Sequence, residues 1–345
     1  MELINSTPLL AQSVPLQIRR NGFIVLIVVK GTFTVRRDGR LRLADEPQPI
    51  LFGDEYHDPE QGGSVRFESD LVPFKPKADI LLAGHAYAPG GRAIPHLETR
   101  VHVGSHQHTV VVFGDRYWDP IGSHNYMTPT QPFTTLPLVY ERAFGGMDTL
   151  NGAVYAANPV GRGFRTKRPP DDQPFALPNL ERPDQLIQTW QDRPLPAGFG
   201  VIGKSWQPRI AALGTYDEQW EQHYAPGPPQ DFRSDYFNAA PPERQVAGYL
   251  RGDEAIQLIN VTPDGRLQCQ LPGLQIQASV TITEKDVQGH PVGATRTETP
   301  NLHLDTLGLL PDQRQVFLVW RGHCRVSELS AQDIDQIVIS AQRSG

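Results

Sequence analysis

Phe23 to Val29 is apolar at every position. Strand side chains alternate between faces, so a strand written this way has to be covered on both sides, and the run predicts a central strand. After Gly31 apolar and polar positions alternate instead. Asp38-Gly39 is the dipeptide that best tolerates the positive φ values of a tight hairpin turn, so residues 32–37 are expected to pair with residues 40–44. The same kind of pattern predicts strands over residues 80–87, 98–103, 109–113 and 134–144.

The texture changes between Pro120 and Pro242, which hold 18 of the 32 prolines. Proline removes ladder donors and fixes φ, so this region should be loops and short helices. Helical spacing brings Leu186, Ile187 and Trp190 to one face of residues 184–191, and Tyr216, Trp220 and Tyr224 to one face of residues 215–224. The β signal returns near Gly248, with residues 256–261 and 266–271 flanking the turn Pro263-Asp264-Gly265. Ile276, Ala278, Val280 and Ile282 then alternate, followed by residues 302–307 and 315–321, which reads as an antiparallel meander of about five strands. A short helix near residues 331–336 and a last strand at 337–340 close the pattern.

The fold class expected is therefore mainly β, with antiparallel sheets in a sandwich or barrel-like arrangement and a few short helices in a Pro-rich middle region. Residues 1–150 form an N-terminal β domain, 151–247 a region of loops and short helices, and 248–345 a C-terminal β domain packed on the first.

Charge and cysteine content narrow the function classes. A net charge of −6 offers no electrostatic footprint for nucleic acid or an anionic lipid surface. The first twenty residues carry neither the basic start nor the apolar run of a signal peptide, and the longest apolar run, seven residues, is far short of a spanning helix. A cytoplasmic chain is expected, with Cys269 and Cys324 reduced and no disulfide framework.

Candidate chemistry is sparse. Gly198 to Ser205 (GFGVIGKS) fits the phosphate-loop spacing, but Gln191 to Ala197 is no buried strand to deliver it and Pro208 follows closely. His102, His106 and His108 share strand parity, with His96 and His124 nearby in sequence, yet Gly104-Ser105 reads as a turn between them, so polar strand or loop histidines are expected. Cys324 adjoins His323, which on a strand sends nucleophile and base to opposite faces. No cofactor and no metal are expected.

Two runs stand out: YERAFGG (Tyr140 to Gly146) and NPVGRGF (Asn158 to Phe164). Extended, the first would send Tyr140, Arg142 and Phe144 to one face and Glu141 to the other. In the second, glycines flank Arg162, whose guanidinium can bind carbonyls or a carboxylate. Arg142 and Arg162 either lock long loops onto the β core or belong to a binding surface on them.

These runs, with GFGVI, Trp206-Gln207-Pro208-Arg209, GTYDEQW (Gly214 to Trp220), YFNAAPPERQ (Tyr236 to Gln245) and GYLRGDE (Gly248 to Glu254), resemble a bacterial domain-of-unknown-function family whose genes accompany type VI secretion clusters. The resemblance spans almost the whole chain. It implies an accessory or adaptor role: chaperone-like, non-catalytic binding of a toxic effector, or its PAAR-like tip domain, in the cytoplasm before loading onto the secretion spike. The partner implied is a protein. Tyr140, Glu141, Arg142, Phe144, Asn158, Arg162 and Phe164 are the motif positions proposed for partner binding or loop locking. Two alternatives stand beside it. One is an enzyme using Glu141 or Asp115 as general acid or base, for example on carbohydrate, which requires a second carboxylate across a cleft at about 5–9.5 Å. The other is a structural component of the secretion apparatus.

Overall fold

The computed structural model describes residues 1–19, 22–60, 62–121, 124–168, 170, 173–286, 288–327 and 333–343. It is mainly β, and its antiparallel ladders gather into a seven-stranded, a five-stranded and a four-stranded sheet with smaller ribbons around them. In the largest sheet the order is Gln245–Val246, Ala78–Leu82, His303–Leu310, Gln315–Ser327, Gly22–Val35 and Leu10–Arg19, with Leu41–Leu43 paired to the end of Gly22–Val35. Only Ala78–Leu82 against His303–Leu310 is parallel in this sheet.

Gly22–Val35 explains its own sequence. Val25, Ile27 and Val29 enter the main core, while Leu26 and Val28 enter a second apolar cluster on the opposite face with Leu81, Phe317 and Val319. The expected hairpin forms as well, Phe33, Thr34 and Val35 facing Leu43, Arg42 and Leu41 across Asp38-Gly39. The main core is shared by all the large sheets. Val101, Val110, Ile256 and Leu258 of the five-stranded sheet and Ala278, Val280, Ile337 and Ile339 of the four-stranded sheet meet Ile27 and Leu318 there.

The expected C-terminal meander does not form. Ala255–Ile259 and Arg266–Gln270 extend the sheet of His96–Val103, Leu274–Lys285 joins Pro291–Glu298 and Ile334–Arg343, and His303–Leu310 and Gln315–Ser327 enter the central sheet. The burial patterns supply the reason. Leu274–Lys285 largely alternates and can leave one face wet, whereas His303–Leu310 is buried at every position after His303 and requires cover on both sides. The first and last β regions thus contribute strands to the same sheet.

Of the two helices expected in the Pro-rich middle, Glu218–His223 forms, and the Asp217 carboxylate caps it by accepting the Trp220 N–H at 2.9 Å. Residues 184–191 form turns instead. The Gln188 and Thr189 N–H groups donate to Asp192 at 2.8 Å each and Ile187 N–H donates to Glu181 at 2.9 Å, so carboxylates take the donors a helix would have used. For the helix expected near 331–336, residues 331 and 332 lie outside the described residues, and from Ile334 the chain is strand.

Charge is buried between the central sheet and the Pro-rich middle. Lys30, 2% exposed, donates to Asp70 at 2.8 Å; Lys75 donates to Asp79 at 2.7 Å; Arg321 pairs with Asp305, and Arg209 with Glu68 at 2.8 Å. A void of about 20 Å³ among them has room for about one water. Burial draws the Lys30 ammonium below its ordinary range, against the pull of Asp70. Asp79 also accepts Asn238 Nδ2 at 2.9 Å and the N–H groups of Ala239 and Ala240 at 2.8 and 3.2 Å. Asp79→Ala strands the Lys75 charge and three further donors, and should cost about 3–5 kcal/mol in denaturant unfolding. A loss below about 1 kcal/mol would mean that the site rehydrates freely.

Candidate functional site

The two sequence motifs fold into one interlocked unit. Residues 134–144 are not the continuous strand their pattern predicts: strand Thr135–Pro137 and the start of strand Phe144–Gly145 are separated by Tyr140–Arg142, a single 3-10 turn in which Ala143 N–H donates to the Tyr140 carbonyl at 3.1 Å. The turn separates side chains expected on one face. Tyr140 enters the main core edge-on to Trp206, with ring centroids 5.5 Å apart, whereas Phe144 enters a smaller cluster with Trp118, Phe175, Leu177 and Ile187. Phe164 and Tyr155 pack beside Phe144 there.

Phe144–Gly145 then pairs in parallel with Arg162–Gly163. Asn158, fully buried, secures the crossing: its Nδ2 donates to the carbonyls of Tyr140 and Phe144 at 2.8 and 3.1 Å, and its own carbonyl accepts Gly146 N–H at 2.8 Å. Gly146 has φ +92°, and a Cβ there would lie 2.3 Å from the Gly161 carbonyl oxygen. The motif glycines are there because two backbones touch.

Arg162 Nε donates to the Glu141 carbonyl at 2.9 Å, and the Glu141 carboxylate accepts the N–H and hydroxyl of Ser64 at 2.6 and 2.8 Å. Arg142 donates to Asn179 Oδ1 at 3.0 Å and reaches Asp115 at 3.5 Å, while Asn179 Nδ2 donates to Asp115 at 2.9 Å. All seven motif residues therefore sit in one unit. Burial and the adjacent Arg142 charge lower the Arg162 guanidinium from its ordinary value, opposed by Asp115, Tyr117 and Glu141.

Between the motifs the chain projects as a loop from Met147 to Val154, which pair across an antiparallel bridge. Asp148, fully buried, holds it: one carboxylate oxygen accepts Leu150 N–H at 3.0 Å and the other accepts Thr166 N–H and hydroxyl at 2.7 and 2.6 Å. These bonds keep the Asp148 carboxyl below the usual range despite its burial.

Beneath Tyr140 lies a group of buried polar atoms that the sequence did not announce. Arg244 lies 5.0 Å from the Phe199 ring centroid, and none of its guanidinium nitrogens has a hydrogen-bond partner among the described residues. The Tyr140 hydroxyl and His108 Nε2 are likewise unpaired there. Burial lowers Arg244 to about 10 and raises Tyr140. Burial, then the Arg244 and Arg182 charges, push His108 down to about 4, against Glu243 and Asp184.

The other motifs settle into structural roles. In GFGVIGKS the Phe199 carbonyl accepts Leu82 N–H at 2.9 Å, and Lys204 is clamped by both Asp54 oxygens at 2.8 Å with only turns and a 3-10 segment after it. Among the described residues no three His, Cys, Asp or Glu side chains converge, and His102 and His106 lie either side of the Gly104-Ser105 turn. Cys324 Sγ donates to Glu298 at 2.9 Å and its thiol is pushed up to about 12. GYLRGDE lines a cleft of about 920 Å³ with Leu274 to Ser279 and Thr299 to Leu304, where Asp253 is the lining carboxylate. Neither Glu141 nor Asp115 lines it.

Two measurements probe the unit. Asn158→Ala orphans the buried Phe144 carbonyl and takes one of two donors from that of Tyr140, and should cost about 1–3 kcal/mol, and Arg162→Ala, which orphans the Glu141 carbonyl, about 1–2 kcal/mol, both read from denaturant midpoints. The unfolded chain protonates His108 near its ordinary value of about 6.5 and the native chain only near 4, so the stability contributed by neutral His108 is complete above pH 7 and is lost as pH falls through that window. The stability difference between wild type and His108→Leu should change by about 3 kcal/mol between pH 7 and pH 4, and a constant difference would refute the assignment.

No curated protein and no solved structure matches the chain. A family model described as "Uncharacterized protein conserved in bacteria" matches residues 20–321, a span that contains the interlocked motifs, the loop between them and the central sheet except for its edge strand Leu10–Arg19 and residues 322–327 of the strand Gln315–Ser327. On that match the chain belongs to the DUF2169 family of conserved bacterial proteins.

Proposed function

We propose that this protein is a non-catalytic adaptor that binds a type VI secretion effector, or its PAAR-like tip domain, in the cytoplasm and assists its loading onto the spike. One observation carries the reading beyond the resemblance. The polar side chains of both motifs are spent on tying the motifs to each other and to Ser64, Asn179 and Asp115 at the base of a projecting loop, and the carboxylates an enzyme would need, Glu141 and Asp115, are held by Ser64 and by Asn179 and Arg142. A general base bound in this way has little freedom to collect a substrate proton, whereas a rigid scaffold carrying an exposed loop suits recognition.

The test is to mix the purified chain with the effector or spike-tip protein encoded in the same gene cluster and measure the mass of the complex by light scattering. A stoichiometric complex, with the adaptor retained in the producing cell after secretion, is the expected result. Recovery of this chain in the secreted fraction with the spike would favour a structural component, and absence of any complex would defeat the adaptor reading.

A further inference from the structure

The loop between the motifs displays apolar side chains that nothing in the fold uses. Met147 is 54% exposed, Leu150 45% and Val154 49%. Met147 and Val154 face each other across the bridge, so their side chains stand on the same side of it. The display is not loose chain. Asp148 ties it from within, Asn151 Nδ2 donates to Thr166 Oγ1 at 2.7 Å, and Ala153 N–H donates to Asn151 Oδ1 at 3.0 Å. A loop already fixed gives up little conformational freedom on binding.

Its surroundings are basic, although the chain as a whole carries −6. Arg165 Nη1 donates to the Met147 carbonyl at 3.3 Å, Arg193 Nη2 donates to the Arg165 carbonyl, and Lys167 is exposed one residue beyond the Thr166 anchor. The carboxylates hydrogen-bonded in this region are already engaged: Asp148, buried, by Leu150 and Thr166, and Asp192, half-buried, by Gln188 and Thr189. A second copy docking tip to tip would set these cations against their own counterparts, so the surface disfavours a symmetric dimer.

We propose that the Met147–Val154 loop is the docking tip of the protein, and that it inserts Met147, Leu150 and Val154 into an apolar pocket rimmed by carboxylates on a partner protein. Methionine suits such a contact because its unbranched, polarizable side chain adapts to irregular pockets. Resting on the adaptor reading, this assigns the cargo-binding surface; the motifs themselves position the loop and stay out of the contact.

The experiment titrates the effector or spike-tip protein from the same gene cluster with three forms of the full chain. Met147→Asp/Leu150→Asp should bind at least about 30-fold more weakly with an unchanged melting temperature, and Val292→Asp, at a 66% exposed apolar position on another strand, should bind like wild type. Lys167→Glu should slow association about 3-fold or more at low salt and lose that effect at high salt. Hydrogen exchange on the unmodified chain gives a reading independent of substitutions: the partner should protect residues 147–154. If wild type binds and the double variant binds equally, with no protection of the loop, the docking tip is wrong and the adaptor stands. If wild type binds nothing, both fail. If wild type self-associates and the double variant does not, a second copy occupies the tip and the proposal is overturned.

Discussion

Every backbone polar group taken out of water must find a partner, and the Pro-rich middle of this chain has few ladders in which to find one. Side chains supply what strands do not. Asp79 receives the N–H groups of Ala239 and Ala240, Asn158 donates to the carbonyls of Tyr140 and Phe144, Asp148 receives Leu150 and Thr166, and Arg209 donates to the carbonyls of Ile202 and Tyr236 at 2.8 Å each. The long connections are shaped by these bonds and are therefore specific structures. Their cost is a set of buried charges whose removal one partner at a time is severe.

Legibility in the sequence followed from how local the determining physics is. Phe23 to Val29 announced a doubly covered strand because burial on both faces is written at every position, and Asp38-Gly39 announced its hairpin because the turn is closed by neighbours. Residues 302–307 and 315–321 were legible as strands but not as members of the central sheet, since each pairs on one side with the other and on its far side with a strand more than two hundred residues away. The turn at Tyr140–Arg142 was hidden for a related reason: alternation said strand, and Pro137 together with the Asn158 side chain decided otherwise. At the candidate site the importance of both motifs could be read from their glycines and arginines, whereas their pairing with each other could not. Lys30 and Arg244 gave no warning, because a charge at the end of an apolar run or in a Pro-rich loop usually lies in water.

The division of labour that results separates rigidity from contact. The residues of the two interlocked motifs are turned inward, where Arg162 holds the Glu141 carbonyl and Asn158 those of Tyr140 and Phe144. What they present to solvent is a loop whose composition can change without disturbing its support, provided Asp148 and Thr166 remain in place. If the proposed docking tip holds, partner preference would diversify there while the frame stays constant.

The central sheet also sets an order on the birth of the molecule. Gly22–Val35 finds one neighbour at once in Leu10–Arg19, but its other edge belongs to Gln315–Ser327, and Ala78–Leu82 waits for His303–Leu310. During synthesis the most apolar stretch of the chain thus leaves the ribosome long before its partner strand exists, with an unpaired edge open to any other extended chain. High contact order makes closure of that edge slow as well as late. A protein proposed here to escort others would itself pass through a stage in which it depends on dilution, or on the cell's general chaperones, to reach the end of its own translation intact.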